Sequence, residues 1–265
     1  MKTEHECPET FFEAWLSEQN QDLHHLTNVA ADHNHGNSDD SKLLGALVDQ
    51  VVKHYESYYE AKSRWAEHNV LTMLSPPWTS TLENAFFWIG GWRPSMSFHL
   101  LYSKSGLQLE AQLAEMMRGF STTDLSDLSH SQLAGINNLQ GGVIKQEKHI
   151  NHKMAKLQDT IADTTMVELS HLHVAAEMVR KNGHKGRDDV DDHGDLVEST
   201  LSQKQKGLEE ILHRADELRL RTLKNITCIL TPIQAVHFLI AAAELHLKLH
   251  DWGKKMDASG QVVGA

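Results

Sequence analysis

Long stretches of this chain carry apolar residues at alternating three- and four-residue steps, which is the repeat of one face of an α-helix. The longest such run, over residues 43–59, consists of Leu43, Leu44, Leu47, Val48, Val51, Val52, Tyr55, Tyr58 and Tyr59. No period-two alternation lasts long enough to propose a strand. The 265 residues also include only five prolines. The pattern therefore predicts an all-α fold, a bundle of long antiparallel helices with several short connecting helices.

Capping residues, glycines and prolines divide the chain into elements. The predicted elements are a first helix over 9–26, a mobile loop over 32–40, a long helix from 41 to 74, short helices over 83–89, 96–102 and 107–117, one helix or two over 132–181, a mobile loop over 182–195, a helix over 196–230 and a last helix over 231–253. No stretch rich in Pro, Gly or Ser forces a domain boundary. We therefore expect a single domain over 9–253 and a flexible tail over 254–265.

The charge of the chain bears on its partners. A formal net charge of −11 without a basic cluster argues against direct DNA binding, because neutralising phosphates requires grouped Lys and Arg. No apolar run reaches the roughly 18 residues that span a bilayer, so no membrane association is expected. The polar N-terminus shows no signal peptide, and two cysteines are too few for a disulfide framework. Nucleus and cytoplasm are the expected compartments.

Catalytic motifs are absent from the sequence. It contains no Gly-x-Ser-x-Gly elbow, no phosphate-binding glycine-rich loop, no Cys-x-x-Cys and no His-Glu-x-x-His. We therefore expect a protein that binds other molecules and is not an enzyme.

Two histidines four residues apart, His246 and His250, form the most informative local pattern. On a helical wheel, the polar residues of the last helix share one arc, which we interpret as the solvent face: Gln234, His237, Glu244, Lys248 and Asp251. His246 and His250 lie away from that arc, beside Leu239, Ala242 and Ala243. Both are therefore predicted to point inward, where an imidazole needs a hydrogen-bond partner or a ligand.

Three interpretations of this pair stay open at this stage. Both side chains could be core histidines satisfied by neighbouring polar groups. Zinc would need two further ligands, and the sequence identifies none. Haem needs only one imidazole and an apolar slot. Because residues i and i+4 project the same way while axial ligands approach iron from opposite faces, only one of the two histidines is expected to be axial.

Other candidate residues fall into three groups. The remaining histidine groups, from His24-His25 to His184 with His193, are expected to be solvated. The aromatic stretch comprising Trp78, Phe86, Phe87, Trp88 and Trp92 is interpreted as core packing, with a ligand pocket as the alternative. The first helix begins with Phe11, Phe12 and Trp15, which are predicted to be anchors of a partner-binding surface, with capping of the bundle as the alternative.

The segment from Pro77 to Ser95, with its Trp-Ile-Gly-Gly-Trp-Arg-Pro block, resembles the signature of the plant Delay of Germination family. The C-terminal region of TGA-type bZIP transcription factors shares that domain. Three further stretches are similar, over residues 125–129, 214–219 and 230–235, as is the end of the domain from His246 to Gly253. The resemblance runs from about Phe11 to Trp252.

This resemblance implies a regulator of seed dormancy and abscisic-acid signalling that acts by binding. It implies type 2C protein phosphatases as partners and haem as a cofactor, held by the histidines that match His246 and His250. The TGA branch binds DNA through a basic region and zipper that precede the domain, and this sequence shows neither. A homodimer stays open. The alternatives are a transcriptional co-regulator acting with a TGA-type bZIP partner, and a helical domain with a small-molecule or lipid pocket.

Overall fold

The protein is described here from a computed structural model, which defines residues 7–33, 41–116, 128–171 and 189–262. The helices are α1 (Pro8–His33), α2 (Ser41–Leu74), α3 (Thr81–Phe86), α4 (Met96–Met116), α5 (His130–Asp159), α6 (164–171), α7 (Asp189–Ile229) and α8 (Pro232–Val262). These ranges contain no strand, so the predicted all-α bundle of long helices with short connectors is confirmed. No helix in them is both long enough and apolar enough to cross a membrane.

The core forms where the long helices meet. α2 contacts both α7 and α8, while α1 packs on α8 and α5 packs on α7. The main cluster draws fully buried side chains from six helices, among them Leu26, Leu44, Phe98, Ile136, Leu218 and Phe238. A second cluster around Phe12, Trp15 and Trp78 joins α1 to the turn after α2. Burial of each such side chain contributes about 1.5–3 kcal/mol, so these contacts provide the main stabilisation of the bundle.

Several predicted boundaries differ from the structure. α1 runs to His33, so the predicted loop over 32–40 begins inside a helix, and its remaining residues lie outside the described ranges. α3 ends at Phe86 because Phe87 is extended (φ −67°, ψ 144°), three residues before the predicted end. The segments predicted as two short helices over 96–117 form the single helix α4.

The second half of the bundle also departs from the prediction. A 3₁₀ turn over Thr160–Ala162 interrupts the helix predicted over 132–181, and residues 172–188 lie outside the described ranges. The predicted loop over 182–195 is wrong for its last part, because α7 begins at Asp189.

The last helix does not end at Gly253, and the predicted flexible tail is helical as far as Val262. Gly253 lies inside α8 because a close contact needs a residue without a side chain. A Cβ there would lie 2.1 Å from Ser80 Oγ, at the start of α3. One turn later, Asp257 accepts hydrogen bonds from the Thr81 amide (3.0 Å) and from its hydroxyl group. The extension of α8 therefore holds α3 in place.

The predicted solvent face of α8 is correct for Glu244 and Lys248, which are exposed, and wrong for Gln234. Gln234 is buried because its side chain accepts hydrogen bonds at the N-terminal cap of α8. Its Oε1 accepts from the Thr231 amide (2.9 Å) and from Gln132 Nε2 (2.7 Å). The first turns of α8 are therefore covered by neighbouring helices.

Two buried cations hold the loop between α3 and α4. Lys62 of α2 donates to the Gly90 carbonyl oxygen (2.7 Å) and to Asp216 Oδ1 (3.0 Å). Arg219 of α7 donates to the carbonyl oxygens of Trp92 (2.7 Å) and Ile89 (2.9 Å). It also donates to the carbonyl oxygen of Trp88 and to the carboxylate of Asp216. These bonds satisfy backbone oxygens that the loop cannot pair internally.

The loop approaches α2 so closely that it requires glycine. Gly90 adopts φ +67°, and a Cβ there would lie 2.6 Å from the Met73 carbonyl oxygen.

Burial lowers the pKa of Lys62 to about 8, against the opposing effect of Asp216. The loop is therefore built on a costly buried cation and on a backbone conformation that other residues rarely adopt.

Removing the ammonium group of Lys62 should destabilise the protein. In Lys62→Met, the Gly90 carbonyl loses its donor and Asp216 loses one of its two cationic partners. We expect the free energy of unfolding to fall by about 3 kcal/mol, measured by urea denaturation. Arg214→Met is the matched control, because Arg214 pairs with Glu210 on the exposed surface, and it should change stability far less. Equal small effects of both changes would show that the buried network is not needed for stability.

Candidate functional site

A cavity of about 590 Å³ lies between the loop and the helices α1, α2, α4, α7 and α8. Its wall is mainly aromatic and aliphatic, and includes Phe12, Trp15, Tyr55, Tyr58, Tyr59, Phe87, Trp92, Leu100, Leu223, Phe238, Ala242 and Leu249. Met96 and Leu245 also line it and are 37% and 41% exposed, so the cavity reaches the surface. Its volume lies within the range of small-molecule and cofactor sites, about 300–1,000 Å³.

The aromatic residues that open α1 belong to this wall and to the core beside it. Phe12 and Trp15 are each 5% exposed, and Phe11 packs edge-on against Trp65 with the ring centres 5.0 Å apart. The prediction that Phe11, Phe12 and Trp15 anchor a partner is therefore not supported by their positions. Their aromatic rings already pack against the bundle, which is the capping alternative.

His246 lies on the cavity wall, with Trp15 and Trp92 beside it at ring-centre distances of 5.6 and 6.3 Å. Its Nδ1 is 2.9 Å from Gln19 Oε1, and the other end of the Gln19 amide donates to Tyr55 Oη at 2.8 Å. Burial lowers the pKa of His246 to about 4, although the nearby Glu83 carboxylate opposes this. His246 is therefore neutral at physiological pH.

His250, one turn further along α8, meets different neighbours. Its Nδ1 donates to Glu83 Oε2 over 2.9 Å, and Phe12 packs edge-on against its ring. Because a carboxylate only accepts hydrogen bonds, Nδ1 carries the proton. His250 does not line the cavity. The two histidines thus share Glu83 as a neighbour, but only His246 borders the space that a ligand could enter.

Glu83 is completely buried at the start of α3. Its Oε2 accepts from His250 and from the amide (2.9 Å) and hydroxyl group (2.6 Å) of Ser80, which completes a capping box. Burial acts to raise the pKa of Glu83, but these hydrogen bonds outweigh it and hold the pKa well below its usual range. Oε1 has no hydrogen-bond partner and lies 3.9 Å from His246 Nε2.

The inward orientation predicted for the histidine pair is confirmed, since their side chains are only 14% and 19% exposed. Sequence reasoning did not identify Gln19 or the contact between Glu83 and His250. The Ser-Thr-Leu-Glu capping pattern at residues 80–83 did predict a helix start there, but a cap gives no sign that its carboxylate will also receive a histidine from a distant helix.

The other candidate histidines and aromatic residues are distributed as follows. His24, His25, His149, His152 and His171 are exposed, as predicted, while the side chains of the loop histidines lie outside the described part of the chain. The aromatic stretch divides: Trp78 is buried in the core, Phe87 and Trp92 line the cavity, and Phe86 is 63% exposed. Among the described residues, no group of three or more His, Cys, Asp or Glu could hold a metal ion.

The low pKa of His246 predicts acid destabilisation. As the pH falls from 6.5 towards 4, the unfolded chain binds a proton at this imidazole and the folded chain does not. The contribution of His246 to the free energy of unfolding, about 3 kcal/mol, is therefore fully present above pH 6.5 and is lost as the pH falls from 6.5 to 4. Urea denaturation across this pH range should show the loss in the native chain and less of it in His246→Gln. His152→Gln, at an exposed histidine, should lose as much stability as the native chain. If the free energy of unfolding of His246→Gln varies with pH as steeply as that of the native chain, His246 does not have the low pKa.

Comparisons with known proteins agree with the sequence resemblance. The DOG1 family model, described as seed dormancy control, matches residues 22–103. Protein DOG1-like 3 of Arabidopsis thaliana is 33% identical over 91% of this chain and 81% of its own length. Protein DOG1-like 4 of the same plant is 31% identical over 92% of this chain and 91% of its own length.

A second group of relatives carries the domain inside longer proteins. Transcription factor TGA2 of Arabidopsis thaliana is 29% identical over 92% of this chain, and the aligned part is 60% of that factor's length. Because the similarity to the DOG1-like proteins covers at least 91% of this chain and 81% of theirs, this chain belongs to the DOG1 family of seed dormancy control proteins.

Proposed function

We propose that this protein is a non-enzymatic regulator of seed dormancy and germination in abscisic-acid signalling, which binds haem and restrains type 2C protein phosphatases. Membership of the DOG1 family supports the regulatory role. The observation that carries the haem proposal is the position of His246, a neutral imidazole on the wall of an apolar cavity of about 590 Å³.

The residues around the cavity fit a haem group held by one imidazole. Metal-bound histidines usually donate their other ring N–H to an oxygen, and Gln19 Oε1 lies 2.9 Å from His246 Nδ1. Aromatic and aliphatic side chains would enclose a porphyrin. Arg93, whose Nε pairs with Glu147 at 3.0 Å, lies at the wall with a 40% exposed side chain that could also meet a haem carboxylate. Bound haem would supply an iron able to take a small ligand or an electron.

His250 would act indirectly in this arrangement. Its hydrogen bond to Glu83 fixes α3 against α8, one turn from His246. This division of roles is favoured by the position of the cavity, which His246 lines and His250 does not. His246 would therefore be the residue that holds the haem iron.

Haem titration should therefore distinguish the two histidines. Adding haem to the purified native protein should give a Soret band typical of imidazole ligation. His246→Ala should abolish the band, because the axial nitrogen is lost, while His250→Ala should weaken it by loosening α3, and His152→Ala at an exposed histidine should leave it unchanged. A larger loss in His250→Ala than in His246→Ala would contradict the assignment, and an unaltered band in the double variant would remove the site from α8.

Phosphatase binding requires an exposed surface, and α1 offers one opposite its buried aromatic residues. Glu9, Glu13 and Ser17 are exposed on that side. We propose that the partner contacts this face, because Phe12 and Trp15 are buried in the core.

Two substitutions on α1 should separate binding from folding. Glu13→Arg should weaken binding to a purified type 2C phosphatase at least several-fold without lowering the melting temperature, because it reverses an exposed charge. Phe12→Ala should destabilise the protein by about 3–5 kcal/mol, because it leaves a cavity in the second core cluster. Interferometry and thermal melts measure the two effects. Unchanged binding in Glu13→Arg would place the interface elsewhere.

The alternative function is transcriptional co-regulation in the nucleus together with a TGA-type bZIP partner. The similarity to Transcription factor TGA2 favours it. The net charge of −11 predicts that such a role would involve DNA only through the partner. In gel shifts at physiological salt, the chain alone should show little affinity for DNA, and submicromolar binding with a steep salt dependence would overturn this prediction.

A second candidate is a site for an apolar small molecule, in which His246 and His250 are structural. The aromatic lining of the cavity favours it, and the hydrogen bonds of both imidazoles to Gln19 and Glu83 satisfy them without a metal. The titration above decides between the two, because an apolar ligand would be retained in His246→Ala while haem would be lost.

A further inference from the structure

The buried side-chain amide of Gln19, on α1, joins two residues of the cavity wall, Tyr55 and His246. The residue is 3% exposed, and its side chain lies between Tyr55 on α2 and His246 on α8. Nε2 of the amide donates to Tyr55 Oη at 2.8 Å, and Oε1 lies 2.9 Å from His246 Nδ1. Three helices thus meet in one short chain of hydrogen bonds.

The orientation of this amide is coupled to the tautomer of the imidazole. An amide oxygen only accepts, so in the observed orientation His246 Nδ1 carries the proton and Nε2 keeps its lone pair. In the reversed orientation, the amide nitrogen would donate to Nδ1, and Nε2 would carry the proton instead. Only the first state leaves Nε2 able to bind a Lewis acid or accept a proton.

The contact on the other side of the ring agrees with the observed orientation. His246 Nε2 lies 3.9 Å from Glu83 Oε1, beyond hydrogen-bond distance, and that oxygen has no hydrogen-bond partner. At this distance Nε2 makes no hydrogen bond to Glu83, whereas Nδ1 has an acceptor in Gln19 Oε1 at 2.9 Å.

We propose that Gln19 is a positioning residue that holds His246 as its Nδ1-protonated tautomer and keeps Nε2 free to accept. The consequence for haem ligation rests on the function proposed above. The tautomer itself does not, because it is a property of the ligand-free protein.

Long-range ¹H–¹⁵N spectra of the ligand-free protein measure the tautomer directly. The His246 signals, assigned by their absence in His246→Gln, should show a protonated Nδ1 and an unprotonated Nε2. Gln19→Glu places a group that only accepts beside Nδ1, so it should preserve this tautomer and raise the pH at which His246 takes up its second proton. Gln19→Met, which is similar in size but cannot accept, should shift the population towards the Nε2-protonated form.

Gln132→Met is the matched control, because Gln132 makes a partly buried amide contact with Gln234 at the start of α8, and it should leave the His246 signals unchanged. An Nε2-protonated His246 in the native chain, or an unchanged tautomer in Gln19→Met, would overturn the proposal. If Gln19→Met does not fold, the native spectrum and Gln19→Glu still decide. Confirmation of the tautomer without any haem binding would refute the haem role alone.

Discussion

Two buried cations that bind backbone carbonyl oxygens hold the loop that forms one wall of the cavity. Lys62 and Arg219 come from α2 and α7, and between them they satisfy the carbonyl groups of Trp88, Ile89, Gly90 and Trp92. Asp216 forms an ion pair with each of them. A loop with this many unpaired oxygens would be unstable against an apolar core without such donors. The same loop then supplies Trp92 and Phe87 to the cavity wall, so the cavity exists because the cations hold the loop.

The second determinant is the joint between α3 and α8. Gly253 allows α8 to approach Ser80, Asp257 binds the first residue of α3, and Glu83 receives His250. The contact with Glu83 explains why two histidines one turn apart differ. His250 meets the carboxylate that caps α3, whereas His246 faces the gap between α1 and the loop. Two histidines on the same face of one helix therefore have different environments, because α3 lies beside His250 while α1 and the loop lie beside His246.

Local patterns predicted the helices well and the site only in part. The three-and-four spacing on α2 and the capping residues at Ser80 and Thr231 act within a few residues, so the sequence displays them. The continuation of α8 past Gly253 was missed because the reason for that glycine lies at Ser80, more than 170 residues earlier. The sequence left the burial of Phe12 and Trp15 open, as one of two alternatives, for a similar reason. An aromatic residue at the start of an amphipathic helix looks the same whether its partner is another protein or α2 and α8 of its own chain.

The structure also connects the surface of α1 to the interior. One face of this helix exposes Glu9 and Glu13, and the opposite face provides Phe12, Trp15 and Gln19. Phe12 and Trp15 contact His250 and Tyr58 and line the cavity, while Gln19 contacts the imidazole of His246. Because these side chains belong to α1, a displacement of the helix moves their contacts with Tyr58, His250 and His246. A partner that binds the exposed face in a shifted position of α1 therefore also alters the cavity and the setting of His246. By reciprocity, a ligand that fixes Trp15 and His246 would favour one position of α1, and would thereby change the affinity of any partner that binds the exposed face.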